Sequence, residues 1–183
     1  MPETRSSAAT EVRMSELMTP EDANFLGKVF GGSLLALLDK VAYVTASRFA
    51  GNVCVTASFD RVDFHSPIDV GELVHCVGRV VYVGKTSLQV RIEVYAENLH
   101  TREQKHTNSC SVTMVAIDAN GKPTRVPELD TESREDKINF LKGRLRRELR
   151  TKQRAEFDQL AEKIDGMSDQ SLAEIIASNE PLS

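Results

Sequence analysis

Ser33-Leu-Leu-Ala-Leu-Leu-Asp39-Lys-Val-Ala-Tyr-Val-Thr-Ala-Ser-Arg-Phe-Ala-Gly51 is the stretch on which the fold turns. Its apolar residues at 34, 35, 37, 38, 41, 42, 44, 46 and 49 are too many for one surface stripe. The spacing therefore predicts a helix buried on most sides. Gly51 is placed to end it, because glycine takes the left-handed backbone conformation that closes a helix. Upstream, residues 19–30 (TPEDANFLGKVF) read as a polar loop leading into Gly31-Gly32. Glu11–Met18 reads as a first strand, and residues 1–11 as a flexible terminus.

Downstream the period changes to two. Leu88, Val90, Ile92, Val94 and Ala96 alternate with Gln89, Arg91, Glu93, Tyr95 and Glu97, the pattern of a half-buried strand. Cys110, Val112, Met114 and Ala116 alternate likewise. Val53–Phe64 and Leu73–Val83 are β-branched runs separated by the turn residues SPIDVGE, and Asn120-Gly121 is a turn signal. The order is strand, long helix, then four strands with short connections. An antiparallel sheet wrapped around one central helix satisfies it, an α+β domain.

The length of 183 residues fits one domain with an appendage, and a hydrophobic share of 40% is enough for a core. The net charge of −4 argues against a dedicated nucleic-acid binder. No apolar run is long enough to span a membrane, and the first residues have no apolar core of a secretory signal. Cys54, Cys76 and Cys110 are odd in number and match no zinc spacing. They read as buried thiols in a reducing cytoplasm, with no metal site expected.

Charge marks the second part of the chain. Residues 134–154 carry nine Lys/Arg against three acids, and 155–183 carry one Lys against seven. The turn-rich stretch around 118–133 sets a boundary near residue 130, with a charged helical extension over 131–183. Ser133 with Asp136 and Ser171 with Glu174 have capping-box spacing, and Gly166 is a stop between them. Ile138, Leu141, Leu145 and Leu149 form a stripe that RTKQRA interrupts before Phe157, Leu160, Ala161 and Ile164 resume it. The basic segment has three readings: a solvated helix, a phosphate clamp with Arg144, Arg146 and Arg147, or a dock for a neighbour's acidic segment.

Asp39 stands out chemically, a carboxylate in an apolar helix. Asn24 precedes it in the loop that feeds the helix, and Gly31-Gly32 lie where unpaired helix N–H groups can hold an oxyanion. Thr56 is on the next strand. On chemistry alone this is a base, an amide and an oxyanion site. The bland alternative is Asp39 paired with Lys40 or Lys28 at the surface and Asn24 as a turn residue. Gly84-Lys85-Thr86 fails as a nucleotide loop, since the required glycine position is Arg79. His65, His75, His100 and His106 show no ligand spacing and read as structural or exposed.

Asn24-Phe-Leu-Gly-Lys-Val-Phe-Gly-Gly-Ser-Leu-Leu-Ala-Leu-Leu-Asp39 resembles the helix-entry motif of hotdog-fold acyl-CoA thioesterases, in particular the bacterial cytosolic type related to brain acyl-CoA hydrolase. Val55–Glu72 resembles that family's following strand and turn, and Val83-Gly-Lys-Thr-Ser87 its next hairpin. The resemblance implies a hotdog domain over residues 12–130, with a curved antiparallel sheet around a long helix. It also implies dimers with sites at the subunit interface, commonly as trimers of dimers. By motif position, Asp39 is base or nucleophile, Asn24 acts from the partner subunit, Gly32 N–H holds the oxyanion and Thr56 supports. Arg61, Gly84, Lys85, Thr86 and Ser87 fall where the coenzyme is contacted; the resemblance does not extend to the basic segment, where charge alone makes Arg144 and Arg147 candidates for its phosphates or for a regulatory nucleotide. Phe30 stands where some relatives have histidine, which leaves the carboxylate to act alone. The implied function is hydrolysis of acyl-CoA in the cytoplasm, as part of fatty-acid metabolism. Coenzyme A is then part of substrate and product, and no further cofactor is expected. A non-catalytic acyl-CoA sensor with an interacting tail is the alternative. A hotdog dehydratase is a weaker third, since Phe30 denies it the histidine.

Overall fold

In the computed structural model of the chain, which describes residues 3–60 and 62–178, the apolar stretch forms helix α1 (Gly31–Ala50). Gly51 closes it with φ of 69°. One face buries Leu34, Leu37, Leu38, Val41, Ala42, Thr45, Ala46 and Phe49. Ala36, Asp39, Lys40, Tyr43 and Arg48 lie exposed on the other. In a single chain the helix is therefore covered on most sides, and one stripe that carries Asp39 is left exposed.

The covering layer is a five-stranded antiparallel sheet of β2 (Val12–Leu17), β3 (Val53–Phe59), β4 (Leu73–Val83), β5 (Ser87–Glu97) and β6 (Gln104–Ile117). Their spatial order is β2-β4-β5-β6-β3, which leaves β2 and β3 as edges. The alternation read from the sequence sets the inward rows. Val74, Cys76 and Val80, then Val90, Ile92, Val94 and Ala96, then Val112, Met114 and Ala116, all reach zero exposure. Burial of side chains of this kind contributes about 1.5–3 kcal/mol each before chain entropy is set against it.

Gly78 interrupts the inward row of β4 where α1 comes closest. A Cβ there would fall 2.4 Å from Thr45 Oγ1 and 2.9 Å from Val41 Cγ1. The Thr45 hydroxyl, fully buried at this contact, donates to Val41 O at 2.7 Å and so is not left unpaired.

Residues 4–10, expected to be flexible, are instead tied down. β1 (Thr4–Ser6) pairs in parallel with β7 (Glu128–Asp130), and Ala8–Thr10 make a 3-10 turn. Arg5 donates to Phe49 O (2.6 Å) and Arg48 O (3.2 Å), placing a cation on the last carbonyls of α1. Ser7 is buried and donates to Val80 O at 2.6 Å. At the Asn120-Gly121 turn, Asp118 accepts from the Asn120 and Lys122 N–H groups.

The chain divides into two compact units, Met1–Leu141 and Lys142–Ser183, a division further along than residue 130. Helix α2 (Arg134–Asp165) begins where Ser133 Oγ accepts the Asp136 N–H at 3.0 Å, and ends at Gly166. Helix α3 (Asp169–Ser178) starts earlier than the Ser171–Glu174 box predicts. Ser168 caps it, its hydroxyl accepting from the Ser171 N–H at 3.3 Å. Among the described residues no helix is long and apolar enough to cross a membrane.

Candidate functional site

Asp39 sits on the exposed face of α1, two turns and a little more from the helix start. Leu38 and Val41 point into the core on either side of it, and the 3.6-residue period swings Asp39 outward. Thr56 comes from β3, the edge strand beside that face. A register shift between Thr56 and Ser58 breaks the ladder there, and such irregularities re-aim side chains at strand edges. The Thr56 hydroxyl donates to Asp39 Oδ1 at 2.6 Å and lies 3.4 Å from Met114 Sδ. The O–H···O distance is at the short end of the range, as befits a carboxylate acceptor.

Thr56 is level with Met114, and Met114 with Leu88, across β3, β6 and β5. The β4–β5 turn at 84–87 therefore begins about 10 Å from Thr56, two strand spacings away. That turn is held tightly. Gly84 N–H donates to Ser87 O, Ala116 N–H to Thr86 O and Val126 N–H to Lys85 O. Lys85 is left exposed at its tip. Sheet register thus brings Asp39, Thr56 and the Gly84–Ser87 turn into one neighbourhood.

Gly32 is the second residue of α1, with no side-chain cap on the first-turn N–H groups. A Cβ at Gly32 would fall 2.2 Å from the ring of Phe30, and the ring of Phe64 stands 3.5 Å from the Cβ position of Gly31. Two rings thus lie against the glycine pair.

Asn24 is not brought to Asp39 within one chain. Its side-chain oxygen accepts the N–H groups of Leu26 (2.8 Å) and Lys28 (3.2 Å), which folds the Asn24–Lys28 loop on itself. Among the described residues Asn24 and Asp39 share no hydrogen bond. The loop projects from the body, with Phe25 99% and Leu26 74% exposed. Its root is firm. Asp22 accepts from the Thr19 N–H and hydroxyl, both at 2.9 Å, and these bonds, led by the backbone one, hold its carboxyl below the usual range. Lys28 is hydrogen-bonded to Asp69, whose carboxyl is lowered by that contact.

Arg61 lies outside the described residues. Arg144, in the second unit, donates to Glu148 at 2.8 Å, and Arg147 is exposed on the same helix. Met114 and Asp22 went unsuspected from sequence. The first carried no signal beyond its place in an alternating strand, and the second stands at capping spacing from Thr19. His75 bonds Ser15 and Glu97, and His106 bonds Glu93, on strand positions facing away from the core. The three cysteines are buried, and burial pushes the Cys76 and Cys110 thiols up to about 12.

Residues 26–102 match the family model of the thioesterase superfamily. The protein VdlD of Helicobacter pylori is 46% identical over 78% of this chain and 82% of its own. A hexameric acyl-CoA thioesterase superposes with TM-score 0.80 at 37% identity, covering 84% of this chain and 98% of that one. The chain belongs to the thioesterase superfamily. Its half-barrel of five antiparallel strands around a long helix is the hotdog fold of that family.

Another thioesterase, the acyl-CoA hydrolase of Staphylococcus aureus bound to butyryl coenzyme A, coenzyme A and coenzyme A disulfide, superposes with TM-score 0.78 at 31% identity. The match covers 88% of this chain and 99% of that one. Variants of that hydrolase replace an asparagine, an aspartate and a threonine by alanine at positions 15 and 17 residues apart. The same intervals separate Asn24 from Asp39 and Asp39 from Thr56.

Proposed function

We propose that this thioesterase hydrolyses acyl-CoA to a free carboxylic acid and coenzyme A, with Asp39 as the reacting carboxylate. The observation that carries the reading is the 2.6 Å bond from Thr56 to Asp39 Oδ1. It fixes one carboxylate oxygen of a side chain that is otherwise exposed, at the edge strand whose register leads across to the Gly84–Ser87 turn. As a base, Asp39 takes a proton from water as the water oxygen adds to the thioester carbonyl. As a nucleophile, it forms an anhydride that water then opens. Either way the carbonyl oxygen gains charge that the Gly32 N–H can hold, and collapse expels the coenzyme thiolate, which is protonated to the thiol.

Asn24 completes the site from a second copy of the chain. The support is geometric: its loop projects with Phe25 and Leu26 exposed, and the face of α1 that carries Asp39 is uncovered in one chain. The neighbouring edge strand β3 also exposes Val53 and Val55 and has an unpaired side. Edge-to-edge addition of a second β3 covers all three features. A dimer is the minimal unit, and a trimer of dimers follows the hexameric relative. Beyond the coenzyme A of its substrate the site calls for no cofactor. The cytoplasm, where the three thiols stay reduced, and fatty-acid metabolism are its setting. Regulation by a nucleotide through Arg144 and Arg147 is not part of the proposal, because Arg144 is engaged with Glu148.

The test is release of free thiol from acyl-CoAs of graded chain length by wild type, Asp39→Ala and Asn24→Ala. Both variants are expected to lose activity while keeping the assembly's mass. Mixed Asn24→Ala and Asp39→Ala subunits should regain a fraction of it, since one of the two sites in each mixed dimer is intact. Turnover by assembled Asp39→Ala would sink the assignment. Binding of acyl-CoA without release by wild type would leave the sensor.

A further inference from the structure

The 32-residue helix α2 carries large apolar side chains that stand exposed among the described residues. Ile138, Leu141, Leu145, Leu149 and Phe157 are 39%, 60%, 53%, 50% and 70% exposed, and the row runs on to the half-buried Leu160 and Ile164. Scattered apolar residues on a surface need no explanation, but two apolar stretches, 138–149 and 157–164, on either side of a polar break in one helix make a docking surface. The helix already has an inner side. Near its start Phe140 stacks on Tyr82 with ring centroids 5.1 Å apart, and Ile138 and Leu141 point elsewhere.

Charge says what covers the row. The stretch 134–154 has net charge +6 and 155–183 has −6. Pairs four residues apart, Arg144–Glu148, Lys152–Glu156 and Arg154–Asp158, run along the helix. A continuous helix rises about 1.5 Å per residue and so holds its basic and acidic halves apart. A second copy of α2 can supply the complement to both halves at once. Two copies side by side in parallel would set like charge against like; antiparallel, each basic half lies along an acidic half.

From this we infer that α2 pairs antiparallel with α2 of a second copy, centred on Thr151. That residue is the midpoint of the row from Ile138 to Ile164 and lies in its polar break. Centring there sets Ile138 against Ile164, Leu141 against Ala161, Leu145 against Phe157 and Leu149 against Gln153. Ile138, Leu145, Phe157 and Ile164 then face apolar residues of the partner, while Leu149 faces Gln153 and Leu160 faces Lys142. Seven turns over 26 residues give about 3.7 residues per turn, nearer an eleven-residue repeat than a heptad, so the pair coils weakly to the right. The pairing is independent of the thioesterase site and adds a second contact between copies.

Cysteine cross-linking in the full-length protein tests it. In L145C/F157C the two new thiols lie about 18 Å apart along one helix, too far to join within a chain. Across the proposed pair they meet twice. Mild oxidation should give covalent dimer at about ten times the yield of either single variant, because pairing raises the local thiol concentration. I138C/I164C probes the same register with Leu145 and Phe157 intact, which covers the case in which the first pair of changes itself loosens the contact. The native thiols are buried and do not compete. Yield should fall several-fold as salt rises from about 0.05 M to about 1 M. Cross-linking by L145C alone would mean parallel pairing and would overturn the inference. So would a yield indifferent to salt, or no covalent dimer from either double variant.

Discussion

Replacing Thr56 by valine removes one hydroxyl and nearly preserves the side chain's shape, so it isolates the bond that orients Asp39. The bond is 2.6 Å long and has an ionised acceptor, a class worth about 1.5–3 kcal/mol net. Both side chains are exposed in a single chain, which puts the value at the lower end; cover by a second copy moves it upward. If the bond acts by holding the carboxylate in its reactive pose, its full worth appears in the barrier. A loss of 1.5 kcal/mol is about tenfold in rate, and 3 kcal/mol about 150-fold. Thr56→Val should therefore lower kcat by about 10- to 150-fold with KM little changed, as measured by coenzyme A release in an assembly of unchanged mass. Thr56→Ser keeps the donor and should stay within about threefold of wild type, the loss of one methyl contact. A valine variant within twofold of wild type, or a serine variant as slow as valine, would refute the role given to the hydroxyl.

Two further predictions concern stability. Gly78→Ala puts a methyl group 2.4 Å from Thr45 Oγ1 and should cost about 1–3 kcal/mol by overpacking, read as a lower urea midpoint; an unchanged midpoint would show that α1 is free to shift off the sheet. Cys76 and Cys110 have thiols raised by burial from 9.0 to about 12, so the stability they confer is complete below pH 9 and is lost as pH climbs toward 12. In that window the unfolded chain releases protons that the folded chain keeps, and stability should fall by about 1.4 kcal/mol per pH unit for each thiol. Cys76→Ala should lower the slope by about 1.4 kcal/mol per pH unit whatever it does to absolute stability, and an unaltered slope in urea titrations from pH 8 to 11 would refute the linkage.

The architecture was legible because each element announces itself by a local period. The alternation in 88–97 and 110–116 became the inward rows of β5 and β6, and the dense apolar run became α1, with Gly51 at its end. What the period could not show was which side of α1 a single chain covers. Nine apolar positions implied near-complete burial, yet five residues of the helix, Asp39 and Tyr43 among them, stand exposed. All nine apolar positions are buried or half-buried within one chain, and the exposed stripe is carried by other residues, as Val53 and Val55 are exposed on β3. Polar composition misled in the opposite direction at residues 4–10, where order comes from Arg5 reaching the end of α1 and Ser7 reaching Val80, contacts more than 40 residues away in sequence. At α3 two serines three residues apart competed for the cap, and Ser168 prevailed over Ser171.

The candidate site was half legible for the same reason. Asp39 was marked by its oddity in an apolar helix, and Thr56 only through resemblance. What joins them is the geometry of a strand edge, where an irregularity at Thr56 turns a hydroxyl onto the helix face beside it. Asn24 shows the limit of reading one chain alone. Fifteen residues from Asp39 in sequence, it spends its side-chain oxygen on its own loop and presents that loop outward beside two almost uncovered apolar residues. A loop that exposes Phe25 and Leu26 at this level is costly in an isolated chain and inexpensive when it seats on a neighbour. The exposed loop, the bare stripe of α1 and the open edge of β3 are the three features that the proposed dimer covers, and Asp39 lies on the second of them.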